Sequence, residues 1–377
     1  MRKGKRHSLT GVLVLALSLA AGRGTATPFV NEPGARSAAM GGAFLAVADD
    51  ASAVWHNPAG LVGREKAELA VDWSRGVGFG PKGKARSAGN GLLVGGSGST
   101  QSMSSGLFYI RPYRVDYTLA DAGRSGTASG KVSQTFDQLS VPYAVNLHSY
   151  GLKLGLTADI TRVSVAGNDL AYRTAGNDLR TFPRSTTEKI GLAGSLGLLW
   201  DLYRGPMRER TVRLGGVLRT SATSRGRLHP SEKAVKEVLR NRPKSLGLGV
   251  AWEEYLSALR HFTASLQLDI HQWATNAAWG AKAGYRTLKA GVEYAHVKDF
   301  RATVPLELSY RAGVWRSRPF QGSSYPFWPT ERGISLGFGV GERRDFQLDI
   351  GVRYSSYSGA GFGGDAFTFQ TGFVRRY

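Results

Sequence analysis

Two-residue periodicity runs through most of this chain and sharply limits what it can fold into. Phe262, Ala264, Leu266, Leu268 and Ile270 fall on one side of an extended segment, and Thr263, Ser265, Gln267, Asp269 and His271 on the other. Leu152, Leu154, Leu156 and Ile160 likewise oppose Lys153, Gly155, Thr157 and Asp159. Ile334, Leu336, Phe338 and Val340 oppose Gly333, Ser335, Gly337 and Gly339, while Phe346, Leu348, Ile350 and Val352 oppose Gln347, Asp349, Gly351 and Arg353. Successive side chains of a β-strand point to opposite faces, so these segments read as strands with one greasy face and one polar or tiny face.

Alternation of this kind is shared by a soluble sandwich, apolar face inward, and a membrane barrel, apolar face toward lipid. Three features favour the barrel. Aromatic residues gather near strand ends (Trp73, Trp200, Tyr203, Trp252, Tyr255, Trp273, Trp315, Tyr354, Tyr357), where an interfacial girdle would place them. The last strand, Phe367 to Tyr377, keeps Phe367, Phe369 and Phe373 in phase with a terminal aromatic, and only Arg375 breaks that phase. Fourteen strands can be read between Ala67 and Arg376, and their links alternate: long after each odd-numbered strand, short after the others, as at Leu147–Ser149 and Glu342–Arg344. The second strand, Asn90–Gly96, is kept because dropping it would reverse that alternation. Short turns on one side and long loops on the other are the asymmetry of a bacterial barrel with both termini in the periplasm. The fold class is therefore all-β, a transmembrane antiparallel β-barrel of about 14 strands, expected in the bacterial outer membrane.

The first 27 residues read as a secretory signal: Arg2, Lys3, Lys5 and Arg6, then the apolar run Leu9–Ala21, then small residues around Thr25–Thr27. That run is too short to span a bilayer as a helix, and no other segment approaches the roughly 20 apolar residues one requires. With no cysteine in 377 residues there is no lipid-acylation site, disulfide or thiolate-metal framework. Fifty glycines and 42% hydrophobic residues fit a β-rich envelope protein rather than a helical membrane protein. Residues 28–66 are expected to form a hatch and residues 67–377 the barrel.

Between the signal and the strands lies Gly34–Leu61, GARSAAMGGAFLAVADDASAVWHNPAGL, made of small residues, an acidic pair and an Asn-Pro-Ala turn. This places a plug at the mouth of a barrel. Gly41-Gly42, next to Met40, permits close packing against a wall; Asp49 or Asp50 can cap a short helix beginning at Ala51; Asn57-Pro58 turns the chain. The block is read as a folded plug that stabilises the barrel, with the Asn57–Pro58 turn as a gate in the alternative reading. Together with strands such as Arg242–Trp252 and Thr330–Val340, Met40–Leu61 resembles the PorV/PorQ-like branch of the FadL/OmpP1 outer-membrane protein superfamily. That resemblance implies a fourteen-strand barrel with an N-terminal hatch in the lumen. It also implies one of two activities: FadL-like passive carriage of hydrophobic small molecules, or PorV-like docking and escort of exported proteins. A structural barrel without ligand is a third reading, since fold does not fix function.

Charges of both signs sit on the predicted lumen faces: Lys153, Asp159, Asp269, Lys289, Glu293, Glu307, Arg311, Asp349 and Arg353. Interior charges of opposite sign point to paired networks that hold the hatch rather than a wide open pore. Pro142 interrupts the fourth strand, where it cannot donate to the ladder, so a bulge or kink is expected there. In FadL-like carriers a strand kink makes a lateral exit to the membrane, which marks Pro142 as a candidate opening. The net charge of +21 falls to about +16 without the signal, and the excess is dense in predicted outer loops: Arg75, Lys82, Lys84 and Arg86, then Arg225, Arg227, Lys233, Lys236, Arg240, Arg242 and Lys244. Beyond a solvated surface, these suit lipopolysaccharide phosphates or an acidic partner. Ser231–Leu239 reads as a short amphipathic helix over the barrel mouth. Outer-membrane lipid and lipopolysaccharide, with a hydrophobic small molecule or an exported protein, are the expected partners; nucleic acid is not. The seven histidines show no metal-ligand spacing, and Gly194-Ser195-Leu196-Gly197 lacks the pattern of a nucleophile elbow. No catalytic residue, metal or cofactor is expected.

Overall fold

The structure is a computed structural model that describes residues 32–63, 67–79, 85–119, 128–173, 179–182, 185–205, 209–221, 223–224, 244–272, 284–298, 306–319, 330–342, 345–359 and 362–377. The signal segment 1–27, the basic residues Lys82, Lys84 and 225–242, the helix read over Ser231–Leu239, and Trp273 lie outside the described residues.

Fourteen long strands follow one another: β1 (Ala67–Phe79), β2 (Ala85–Ser99), β3 (Met103–Leu119), β4 (Ala128–Leu147), β5 (Leu152–Arg173), β6 (Ser185–Arg204), β7 (Arg210–Arg219), β8 (Lys244–Ser257), β9 (Arg260–Gln272), β10 (Gly284–Lys298), β11 (Leu306–Pro319), β12 (Thr330–Glu342), β13 (Phe346–Gly359) and β14 (Phe362–Arg376). Each pairs antiparallel with its sequence neighbours, and β1 pairs with β14 from Glu68↔Arg376 to Phe79↔Asp365, so the sheet closes on itself. Closure removes the unpaired edges that lipid cannot hydrogen-bond. Two short segments, Leu179–Phe182 and Thr223–Ser224, extend the sheet beside β5 and β6.

The greasy faces point outward. Leu154, Leu156 and Ile160 of β5, Ile334, Leu336 and Phe338 of β12, and Phe367, Phe369 and Phe373 of β14 are all exposed, while the alternate positions Thr157, Asp159, Ser335 and Gln370 are buried. An apolar exterior over a polar interior, on a closed barrel, is the arrangement of an outer-membrane protein, and it excludes the soluble sandwich. Trp73, Trp200, Tyr203 and Trp252 join that exterior. Trp315 and Tyr357 do not: they sit on the inward phase of β11 and β13 and are 5% and 6% exposed, so they belong to the lumen rather than the girdle.

All fourteen segments read from the sequence are strands here, extended in several cases toward the end with the long links. The first and thirteenth links depart from the alternation: residues 80–84 between β1 and β2 are no longer than the sixth link, 205–209, and shorter than the tenth, 299–305. β13 and β14 continue to Gly359 and from Phe362, leaving only residues 360–361 between them. The outward positions of these extensions, Ser356, Ser358 and Asp365, are polar, so the stretches lack the apolar alternation and stay hidden in the sequence pattern.

Candidate functional site

Inside the barrel, residues 33–62 are almost wholly buried. Two short helices, α1 (Ala35–Ala39) and α2 (Ala53–His56), and a 3-10 turn at Pro58–Leu61 are joined by turns. The segment runs along the inner wall, meeting the strands in roughly reverse order. Ala35 N donates to Asp72 Oδ2 of β1 (2.6 Å), and Ala39 O accepts from Ser335 Oγ of β12 (2.8 Å). Phe44 N and Leu45 N donate to Gln267 Oε1 of β9 (3.0 and 2.9 Å), and Asn57 Nδ2 donates to Leu198 O of β6 (2.9 Å). Arg219 of β7 caps α2 by donating to Trp55 O and His56 O (2.6 and 2.7 Å), and Lys153 Nζ of β5 donates to Val62 O (3.2 Å).

Glycines on the inward face of the wall let the hatch backbone come this close. A Cβ at Gly155 would overlap the Ala59 nitrogen, at Gly197 the Asn57 side chain, at Gly291 the Met40 carbonyl, and at Gly313 the Gly41 nitrogen. Met40 is fully buried; Gly41 and Gly42 take φ values of 67° and 76°, which favour glycine. Asn57 is extended (φ −158°) and fixed at three points, also donating to Leu45 O (3.0 Å) and accepting from Ala59 N (3.2 Å), while Pro58 opens the 3-10 turn. The capping expectation needs correction. The helix starts at Ala53, not Ala51, and its N-cap residue Ser52 makes no side-chain cap. Asp50 instead accepts from Ser52 N and Oγ (2.9 and 2.5 Å), a local turn that satisfies its carboxylate before the helix begins, and Asp49 pairs with Arg36.

Two ion networks tie hatch to wall. Arg36 of α1 makes a two-pronged pair with Glu293 of β10 (2.8 and 2.7 Å) and also faces Asp50 (3.6 Å). Glu293 pairs in turn with Arg311 of β11, which reaches Asp349 of β13 (2.6 Å). In the second network, Lys289 of β10 joins Glu32 of the hatch to Asp269 of β9 (2.9 Å), and Asp269 accepts from the same Gln267 that holds Phe44 and Leu45 (3.0 and 2.8 Å). Burial opposes ionisation of Glu32, but the Lys289 ammonium outweighs it and holds the carboxyl below its usual range. Burial also pushes His56 down to about 4, and its Nε2–H donates to Pro33 O (2.8 Å).

Of the other predicted lumen charges, Asp159 and Arg353 have partners of their own. Asp159 accepts from Ser140 Oγ (2.8 Å) and Thr157 Oγ1 (3.1 Å). Arg353 lies over the Trp315 ring, 4.2 Å from its centroid, and its charge also favours ionised Glu32. Glu307, toward the periplasmic end of β11, joins neither network among the described residues. Arg36, Glu32, Gln267, Arg219 and Asp72 were not singled out by the sequence reading. Arg36 left a signal, as the only Lys or Arg between Gly34 and Leu61.

The wall over β2 to β4 is lined differently. Leu93, Phe108 and Ile110 turn inward and pack against Met40, Phe44, Val54 and Leu61 of the hatch. Further outward, Tyr113 stacks on Phe136 (5.8 Å between centroids) and packs with Tyr357 and Ala366. Two apolar patches thus line this wall, one against the hatch and an aromatic one further out, with the buried polar Gln138 and Ser140 of β4 opposite Ile110 and Phe108.

At the same level β3 carries one residue more than both of its neighbours. Toward β4 the register shifts between Ile110↔Gln138 and Tyr113↔Phe136; toward β2 it shifts between Leu92↔Arg111 and Asn90↔Arg114. Pro112, which has no N–H to give, sits in the break. On the outer surface beside it, Asp137 accepts from Arg111 Nε (2.7 Å) and Tyr109 Oη (2.6 Å). The bulge expected at Pro142 is therefore corrected to Pro112. Pro142 faces the lumen and pairs in register with Thr157 of β5; toward β3 the ladder lapses between Ser105↔Tyr143 and Phe108↔Ser140 but resumes unshifted. A missing N–H alone costs pairing without moving register, whereas an extra residue must shift it.

With barrel, hatch and wall break described, comparison with solved structures is informative. A Ralstonia pickettii toluene transporter, TbuX, superposes with a TM-score of 0.61 at 12% identity, over 92% of this chain and 99% of that one. The fold is that of the FadL-type outer-membrane barrels. The P. putida toluene transporter TodX (TM-score 0.56, 12% identity, 92% and 99% covered) and a Pseudomonas aeruginosa FadL homologue (0.55, 15%, 93% and 99%) share it. No family model matches the chain, and no curated protein does. The FadL-type architecture places the chain in the bacterial outer membrane.

Proposed function

We propose that this FadL-type barrel is a passive carrier of small hydrophobic molecules across the outer membrane. The observation that carries the reading is the coincidence of the β3 break at Pro112 with the aromatic patch at Tyr113 and Phe136. A molecule that reaches the Tyr113–Phe136 stack lies beside the one stretch of wall where β3 is out of register with both neighbours. The hatch seals the lumen below, through buried ion pairs and close backbone contacts, so an aqueous path straight to the periplasm is blocked. Sideways release into the apolar band of the membrane costs a hydrophobic solute little, whereas a polar one would have to shed its water. The toluene transporters that share the fold support this substrate class. Cells lacking outer-membrane carriers and expressing this chain are expected to take up a labelled monoaromatic hydrocarbon or long-chain fatty acid faster than cells with an empty vector, and equal rates would refute the reading.

PorV-like docking of an exported protein is the second reading, and the Met40–Leu61 block is what favours it. A stoichiometric protein partner on the barrel purified from its native envelope would displace the carrier reading in its favour.

A further inference from the structure

Four arginines stand together on the outward face of three neighbouring strands, at the end of the barrel that bears the long links. Arg286 of β10 is directly opposite Arg318 of β11, and Arg316 of β11 is directly opposite Arg332 of β12. All four are exposed. Four exposed guanidinium groups on adjoining positions concentrate positive charge on one face, which favours an anion of more than one charge. Guanidinium groups also match phosphate oxygens two at a time. On the outward face of the outer halves of β9 to β14, Asp365 is the only carboxylate among the described residues, and it accepts from Tyr354 Oη (2.7 Å) one strand closer to Arg332.

The surface directly below is apolar and hollowed. Leu288, Val314 and Ile334 follow the arginines toward the periplasm, and then the small residues Ala264, Ala290 and Ala312 make a shallow floor between Leu266, Val292, Leu336 and Trp252. The floor ends on Tyr294, Tyr310 and Phe338, with His296 stacked on Tyr310 at 5.9 Å and Tyr310 against Phe338 at 5.5 Å. From Arg316 to Tyr310 is six residues, roughly 20 Å along a strand, which is about the reach of a fatty acyl chain.

We infer that this face binds one phosphorylated glycolipid of the outer leaflet, with its phosphates on Arg286, Arg316, Arg318 and Arg332 and an acyl chain along the alanine floor. Charge complementarity selects the head, and the hollow directly beneath it selects a ligand that carries acyl chains on the same molecule. A free phosphate would use the arginines and ignore the floor.

The test uses the delipidated full-length protein in detergent, titrated with diphosphoryl lipid A and read by native mass spectrometry. The wild type is expected to retain lipid A, and a variant with all four arginines replaced by serine to bind it at least about tenfold more weakly. Ala290→Phe with Ala312→Phe, which fills the floor and leaves the arginines, is expected to weaken lipid A as well, and inorganic phosphate at equal concentration is expected not to displace it. Heat-modifiable migration on a gel reports that each barrel is folded. If the quadruple variant does not fold, Arg286→Ser with Arg318→Ser serves under the same criterion. Undiminished binding by the folded arginine variant, undiminished binding by the filled-floor variant, or displacement by equimolar phosphate would each overturn the assignment.

Discussion

Deleting Pro112 should close the wall without disturbing the rest of the barrel. β3 exceeds both β2 and β4 by a single residue at this point, so removing one residue restores continuous register on both sides at once. Inward and outward phases are kept: Ile110 remains inward, Arg111 outward, and Tyr113, moved up by one, stays inward against Phe136. Restoring about two interstrand hydrogen bonds, at ~0.5–1.5 kcal/mol each, adds roughly 1–3 kcal/mol to the cost of parting the wall. If sideways release limits uptake, that is a loss of roughly 5- to 150-fold. The assay is initial-rate uptake of a labelled hydrocarbon or fatty acid by cells expressing matched amounts of folded barrel. Pro112→Ala, which keeps the extra residue, is the control and should retain most of the uptake. A folded deletion variant that transports as well as the wild type would refute the reasoning, because the extra residue would then have no part in release.

Other outcomes follow from the hatch. Gly155→Leu and Gly313→Leu should displace it, since even a Cβ there overlaps the backbone of Ala59 or Gly41; a cysteine placed at Ala59, the only one in the chain, should become reactive to maleimide in these variants and stay protected in the parent. Glu293→Gln removes the carboxylate shared by Arg36 and Arg311 but leaves Asp49 and Asp50 to the first and Asp349 to the second, which should weaken hatch docking by roughly 1.5–3 kcal/mol, read as earlier proteolysis of the N-terminal segment. His56 is held near 4 in the docked hatch against 6.5 when released, so docking is fully favourable above pH 6.5 and is lost as pH falls toward 4, by up to roughly 3 kcal/mol. Hatch protection followed against pH should show that decline, and His56→Gln should flatten it. An epitope inserted at Gly226 should be labelled on intact cells and one at Ser149 should not.

Much of the barrel was legible because every strand position is judged by one of two very different environments. Leu154 and Lys153 could not exchange places without putting charge in lipid, nor Phe338 and Gly337 without driving a ring into Ala39 of the hatch, so the alternation survives in the sequence and yields all fourteen strands. Where the alternation stops, the reading stops: Pro112 breaks the phase of β3 after Ile110, and Ser356 and Ser358 leave the outward positions near the end of β13 without an apolar residue. Trp315 and Tyr357 misled because an aromatic near a strand end reads as a girdle residue unless its phase is followed. The hatch was recognisable from its small residues, and the glycines facing it explain why the lumen side of the strands is so often Gly. Its anchors were harder to find, because Gln267, Arg219 and Asp72 are ordinary polar residues whose partners lie far away in sequence. Pro142 stood inside a strand read from the alternation and drew attention, whereas Pro112 fell just past the point where β3 lost its alternation at Ile110, although the extra residue there is what shifts the ladder.

The most direct measurement is a native mass spectrum of the unmodified protein extracted in mild detergent from its native envelope, followed by extraction and identification of what it carries. A small apolar molecule bound to the barrel, and lost from the Tyr113→Ala, Phe136→Ala variant, is the expected result. An empty barrel in stoichiometric complex with another protein would contradict the carrier account.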